Sequence, residues 1–139
     1  MIKYLTPSEV SAHWNTMAPW LEAACEANEM VAGDLTANDL YIYTQTDVAF
    51  VLGMFDEDGL GLVLIIQPSQ TGDKKCADIL AIGGRRLLHF KAKYWEAIKD
   101  WLRTNKFSLI DSYASERLAN IYSKKFGFKK SSVVIRQEL

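Results

Sequence analysis

The 139-residue chain is short of several residue types, and each shortage excludes something. Cysteine occurs only as Cys25 and Cys76, far apart and without Cys-x-x-Cys spacing, and histidine only as the isolated His13 and His89. That spacing shows neither a disulfide framework nor a metal-ligand cluster, so no metal is expected and both thiols read as reduced, buried side chains. No apolar run reaches the roughly 18 residues that a membrane span needs. The opening MIKYLTPSEV lacks the basic-then-apolar layout of an export signal, and a cytoplasmic protein is expected.

Positive charge is scarce in the first half of the chain. Residues 1 to 73 carry one base, Lys3, against eleven acids, whereas residues 74 to 139 carry fifteen bases against six acids; the halves sum to −10 and +9, and the whole chain to −1. Such asymmetry fits a site for a polyanion, whether nucleotide, coenzyme or nucleic acid. It fits equally two halves that fold together and cancel charge on one surface.

What is present is enough apolar residue for one core: 49% of the chain is hydrophobic, and 139 residues is the size of one domain, with no repeat or linker to divide it. Ile2 to Leu5 reads as a short strand. Thr6-Pro7-Ser8-Glu9 then supplies an N-cap, a proline at the first helical position and a glutamate at the third, the capping-box arrangement. Val10, Trp14, Met17, Leu21 and Ala24 recur at helical spacing to about Glu29, with Pro19 expected to kink or divide the helix and Gly33-Asp34 to end it. Thr36 with Asp39 opens a second helix through Thr44.

Asp47 to Phe55 and Leu60 to Gln67 read as strands of a hairpin closed by Asp56-Glu57-Asp58-Gly59. Pro68 to Lys75 reads as a polar loop, and Cys76 to Ile82 as a central strand, apolar on both faces apart from Asp78. A stripe of Leu87, Phe90, Tyr94, Ile98 and Trp101 marks a long helix, with Asn105 as a left-handed stop. The four tryptophans sit in pairs on the first and third helices and are expected to pack against the sheet. Phe107 to Tyr113 returns as a strand, Ser115 caps a helix with Leu118, Ile121 and Tyr122 that ends at Phe126-Gly127, and Val133 to Leu139 closes as a strand. The order is β-αα-βββ-α-β-α-β: an α/β domain over residues 1–139 with a mixed sheet flanked by helices on both faces.

Between strand and long helix stands Gly83-Gly84-Arg85-Arg86, and near the end stands ERLANIYSKKFGF, residues 116 to 128. The element order and these two stretches resemble the GNAT superfamily of N-acyltransferases. The second stretch is similar to the family's N-x-x-A-x-x-L-Y-x-K-x-G-F helix, with Ala119, Lys125, Gly127 and Phe128 in register. Within that superfamily the chain resembles small GNAT-like proteins of tailed bacteriophages. It shares their early pattern His13-Trp14, Pro19, Leu21 and Glu22, a strand ending in Gly83-Gly84, and an ending like Val133 to Leu139. The resemblance implies a phage-encoded protein of the host cytoplasm, with association with the virion as the alternative.

It also implies the site. The strand end Ala81-Ile82-Gly83-Gly84 with Arg85 and Arg86 falls where the family pairs its main chain with the pantetheine arm of acetyl-CoA and grips the pyrophosphate at a helix N-terminus. The family's Q/R-x-x-G-x-G/A spacing is absent, so a plain strand-to-helix turn with solvated arginines stands beside the coenzyme reading. Asp78, in Ala77-Asp78-Ile79-Leu80, is the expected general base, since burial among Ala, Ile and Leu would disfavour its charge; a solvent-facing aspartate is the other reading. Glu57 could act through water. The family's acid tyrosine falls on Ser123, with Tyr122 one residue early, about 100° around the helix. The family asparagine falls on Glu116.

Three functions follow. The first is an N-acyltransferase that moves an acetyl group from acetyl-CoA to an amine. The second is a GNAT-fold protein without catalysis, serving as a binding or structural module in phage assembly or against a host factor. Nucleic-acid binding through Lys124, Lys125, Lys129 and Lys130 ranks last, because lysines alone contact phosphates without reading sequence and no recognised motif accompanies them.

Overall fold

The computed structural model describes residues 1–27, 34–113, 116–131 and 135–138. The elements in chain order are β1 (Ile2–Leu5), α1 (Pro7–Ala27), α2 (Ala37–Gln45), β2 (Phe50–Asp56), β3 (Gly59–Thr71), β4 (Lys74–Gly84), α3 (Leu87–Thr104), β5 (Leu109–Ser112) and α4 (Glu116–Phe126). The strands lie in one sheet in the order β1-β2-β3-β4-β5. The first four pair antiparallel, and β5 joins β4 in parallel. A parallel neighbour needs a long crossover, and α3 supplies it.

Both faces of the sheet are covered, which is why β2 and β3 read as unbroken apolar runs. Val51, Val63, Ile65 and Ala81 pack with Val10, Met17, Leu21 and Leu40 under α1 and α2. Leu52, Leu62, Leu64, Ile66, Ala77 and Ile79 pack with Trp95, Ile98 and Leu102 of α3. Neighbours such as Val51 and Leu52 thus enter opposite cores by the two-residue strand period. The tryptophans pack as expected, Trp14 on Tyr41 (4.7 Å), Trp101 on Phe50 (5.8 Å) and Trp95 on Phe126 (5.3 Å).

The helix starts form as their sequences require. Thr6 Oγ1 accepts the Glu9 amide and Glu9 Oε1 accepts the Thr6 amide, each at 3.2 Å. Thr36 and Asp39 repeat the exchange at 3.1 and 3.0 Å. Lys3 also bonds Glu9, and that bond, with the Thr6 amide, holds the Glu9 carboxyl below its ordinary value.

Several boundaries differ from expectation. α1 is not divided at Pro19; Pro19 and Asn15, whose carbonyl it leaves unbonded, are exposed, so water can serve that carbonyl. β2 begins at Phe50 rather than Asp47, because Asp47 is left-handed (φ 60) and the Val48 and Ala49 amides both turn back to Tyr43 O. The stretch 68–75 is not a loop: β3 and β4 stay paired out to Thr71↔Lys74 around a turn in which Gly72 has φ 62. β2 has ended at Phe50↔Ile66, so Pro68 stands on a free edge where its missing N–H costs no ladder bond.

The left-handed residue after α3 is Lys106 (φ 70), not Asn105; Asn105 instead covers the helix end by donating Nδ2 to Trp101 O at 2.8 Å. The expected ends at Glu29 and Gly33, the cap at Ser115, and Val133, Val134 and Leu139 of the closing strand lie outside the described residues, as do the side chains of Phe90, Leu118 and Glu116. Residues 135–138, which are described, carry no strand. No helix among the described residues is long and apolar enough to cross a membrane.

Candidate functional site where β4 and β5 part

The parallel pair of β4 and β5 runs from Cys76↔Leu109 to Ile79↔Ser112 and ends there, while β4 continues to Gly84 beside β3. At that point the β3 ladder shifts: Ile65 faces Ala81 and Ile66 faces Ile79, leaving Leu80 with no opposite residue. Leu80 is therefore a bulge, a feature that bends a strand and ends pairing. Its extra residue also exchanges the faces, so that Ile79 enters the α3 core and Ala81 the α1 core. Among the described residues, Leu80 to Gly84 has a strand neighbour on one side only.

This strip delivers the chain into α3 through Gly83-Gly84-Arg85-Arg86. A Cβ on Gly83 would lie 2.8 Å from Trp20 Cβ, and one on Gly84 would lie 2.4 Å from Gly61 O. Close packing against α1 and β3 thus requires both glycines; neither has positive φ. The left-handed residue is Arg86 (φ 52, ψ 47), which stands at the N-cap of α3 without a side-chain cap, and the first turn carries no acid. The leading amides of α3 and its dipole therefore make this end electropositive.

Arg85 does not point freely into solvent. Its amide donates to Gly61 O at 3.0 Å, and its half-buried guanidinium meets Asp56 at 2.5 Å and Asp58 at 4.0 Å on the β2–β3 turn. Partial burial pushes the Asp56 carboxyl up, but the Arg85 bond and the Asp58 amide outweigh it and hold Asp56 below its ordinary value.

Asp78 lies half-buried just before the bulge, with Gln67 opposite on β3 and Asp111 opposite on β5. The fully buried Cys76, two residues earlier and so on the same face, donates its thiol to Asp78 Oδ1 at 3.2 Å. One ligating atom from each of Cys76, Asp78 and Asp111 lies within 4.8 Å of the other two. Burial first, and then the two carboxylates, push the Cys76 thiol up to about 12, so at neutral pH it is a proton donor and not a thiolate. Cys76 is buried as expected, but with polar partners. Its alternation with Asp78 was the only sequence signal for the pair; Asp111 arrives through a strand register that sequence spacing does not reveal.

The expected acids separate. Tyr122 is half-buried against Phe126 (6.0 Å) and Phe128 (5.7 Å), and burial raises its phenol. Ser123, one residue on, is exposed, and Glu57 is exposed at the hairpin tip.

No protein-family model matches the chain, and no curated protein matches it by sequence. Solved structures do match in shape. The tetramutant of BH1408 protein from Bacillus halodurans gives a TM-score of 0.72 at 17% identity, over 100% of this chain and 99% of that one. A GNAT family acetyltransferase from Staphylococcus aureus gives 0.67 at 13%, over 100% and 98%. The aminoglycoside acetyltransferase meta-AAC0020 from an uncultured soil metagenomic sample, solved with sisomicin, gives 0.67 at 13%, over 100% and 95%. At such identities the likeness is one of architecture: a mixed five-stranded α/β sheet with the fold of GNAT acetyltransferases.

Proposed function

We propose that the chain is an acetyl-CoA-dependent N-acetyltransferase acting on an amine. The observation that carries this reading is the parting of β4 from β5 at a bulge, which leaves main chain open from Leu80 to Gly84 and leads into the electropositive start of α3. On this fold such a strip suits an extended pantetheine arm, with Ala81 to Gly84 offering main-chain partners and the first α3 amides facing the pyrophosphate. Exposed Leu88, in the first turn of α3, and Tyr113, just past β5, add apolar surface at the same end of the sheet.

When bound, acetyl-CoA supplies an activated thioester carbonyl. Asp78 takes a proton from the incoming ammonium, freeing the nitrogen lone pair to form the C–N bond. Forming the amide would release a second proton from the nitrogen, and water or the exposed Ser123 hydroxyl, which is in register with the family's tyrosine, would relay that proton to the departing coenzyme sulfur as the C–S bond gives way, the relay being left neutral. Tyr122, turned into the aromatic cluster, keeps a packing role. The test is calorimetric titration with acetyl-CoA, followed by thiol release in the presence of a polyamine and of a peptide with a free α-amine. Binding with turnover is the expected result; no heat at millimolar acetyl-CoA overturns the reading.

One observation favours a second reading, a phage-encoded GNAT-fold module that binds a phage or host protein without catalysis. Arg85, which would otherwise face a phosphate, is held by Asp56 and Asp58. Acetyl-CoA binding without turnover, together with a stable partner complex, is the outcome it expects.

A further inference from the structure

We infer that Cys76 is a positioning residue for Asp78: its thiol holds one carboxylate oxygen and leaves the other as the oxygen that accepts the proton. This inference rests on the acetyltransferase reading and adds a residue that the reading does not need. The thiol donates to Asp78 Oδ1 at 3.2 Å, and the described residues offer Asp78 no other side-chain hydrogen bond or ion pair. Oδ1 is thereby engaged and Oδ2 left open. A half-buried carboxylate with no such tie turns about its terminal torsion, which is broad and two-fold, and presents either oxygen in several directions.

A second role follows from Asp111. It is the register partner of Asp78 across the parallel ladder, so the two carboxylates stand side by side with the thiol within 4.8 Å of both. Like charges so placed repel and swing apart. The buried thiol close to both offers its hydrogen to Asp78 and keeps that carboxylate aligned on the strand that leads to the open strip. The thiol performs this because it stays protonated: burial and the neighbouring carboxylates raise it to about 12. A valine of similar volume fills the space without the donor, whereas a serine keeps a donor at a slightly shorter reach.

The experiment compares Cys76→Val and Cys76→Ser with the wild-type chain, using acetyl-CoA with spermidine and with a free-α-amine peptide. Cys76→Val is expected to lower kcat about tenfold, the scale of one hydrogen bond to a charged group, with KM for acetyl-CoA unchanged. Cys76→Ser is expected to restore most of kcat. Equal kcat in Cys76→Val and wild type overturns the inference, as does a serine variant no better than the valine one. If the wild type acetylates neither amine, the acetyltransferase reading fails and the positioning role falls with it. The bond itself is decided separately, by thiolate absorbance near 240 nm in a Cys25→Ala background. At pH 10 a thiol at about 12 is about 1% ionised, against about 90% at the unperturbed 9.0. Asp78→Ala is expected to move the onset of absorbance to lower pH. An onset that stays in place means that no such bond exists, and overturns the inference whatever the kinetics.

Discussion

Single atoms decide what Gly83 and Gly84 are for. An added Cβ meets Trp20 at one position and the Gly61 carbonyl at the other, the second contact being the shorter and with a backbone oxygen. Gly83→Ala and Gly84→Ala are therefore each expected to destabilise by about 1–3 kcal/mol, Gly84→Ala by more, as read from urea midpoints. Were the glycines there only to admit a phosphate, stability would hold and coenzyme affinity alone would fall. Asp56 gives a second prediction at this scale. Its carboxyl titrates lower in the folded chain than unfolded, so it adds stability above the ordinary aspartate range and loses it as pH falls through the folded value. The stability gap between wild type and Asp56→Asn should thus be largest above the ordinary aspartate range and close as pH falls through the lowered folded value. A gap that is flat with pH would mean that the Arg85 pair does not form in solution.

Elements form where local chemistry and tertiary pairing agree, and their ends move where the two differ. The α2 start is local: Thr36 and Asp39 exchange bonds within one turn, as their spacing foretells. Thr36→Ala should cost about 1 kcal/mol, measured by denaturant titration, while Thr36→Ser should retain most of it. The outer β3–β4 ribbon is the opposite case. Pro68, Ser69 and Gln70 are a proline and two polar residues, so they read as loop; they form a strand because β4 pairs with them while β2 has stopped. The Leu80 bulge was equally illegible, since it exists only as a mismatch between two ladders. Asn105 shows a smaller shift of the same origin, its side chain capping the helix so that the left-handed step passes to Lys106.

Over the whole molecule, the charge asymmetry of the two halves is drawn together in part by long-range pairs. Arg85 meets Asp56 across the β2–β3 turn, and Arg136 meets Asp34. Both join a base of the second half to an acid of the first, so some of the expected polyanion surface is neutralised internally. The ligand prediction belongs to this scale as well. Acetyl-CoA at a hundredfold excess over its Kd should stabilise the fold by about 2.7 kcal/mol, read as a rise in Tm; an unmoved Tm at millimolar coenzyme would count against the site between β4 and β5. The sequence by itself determined the helix starts capped by Thr6 and Thr36, the apolar strands, the two-faced sheet and the place of Asp78 on a buried strand, because periods and N-caps are written over a few consecutive residues. Tertiary structure alone decided that β4 and β5 part at Ile79 and Ser112, that Cys76, Asp78 and Asp111 converge, and that Arg85 is taken by Asp56. Those facts depend on registers and turns joining residues about thirty positions apart, and no local pattern encodes such a register.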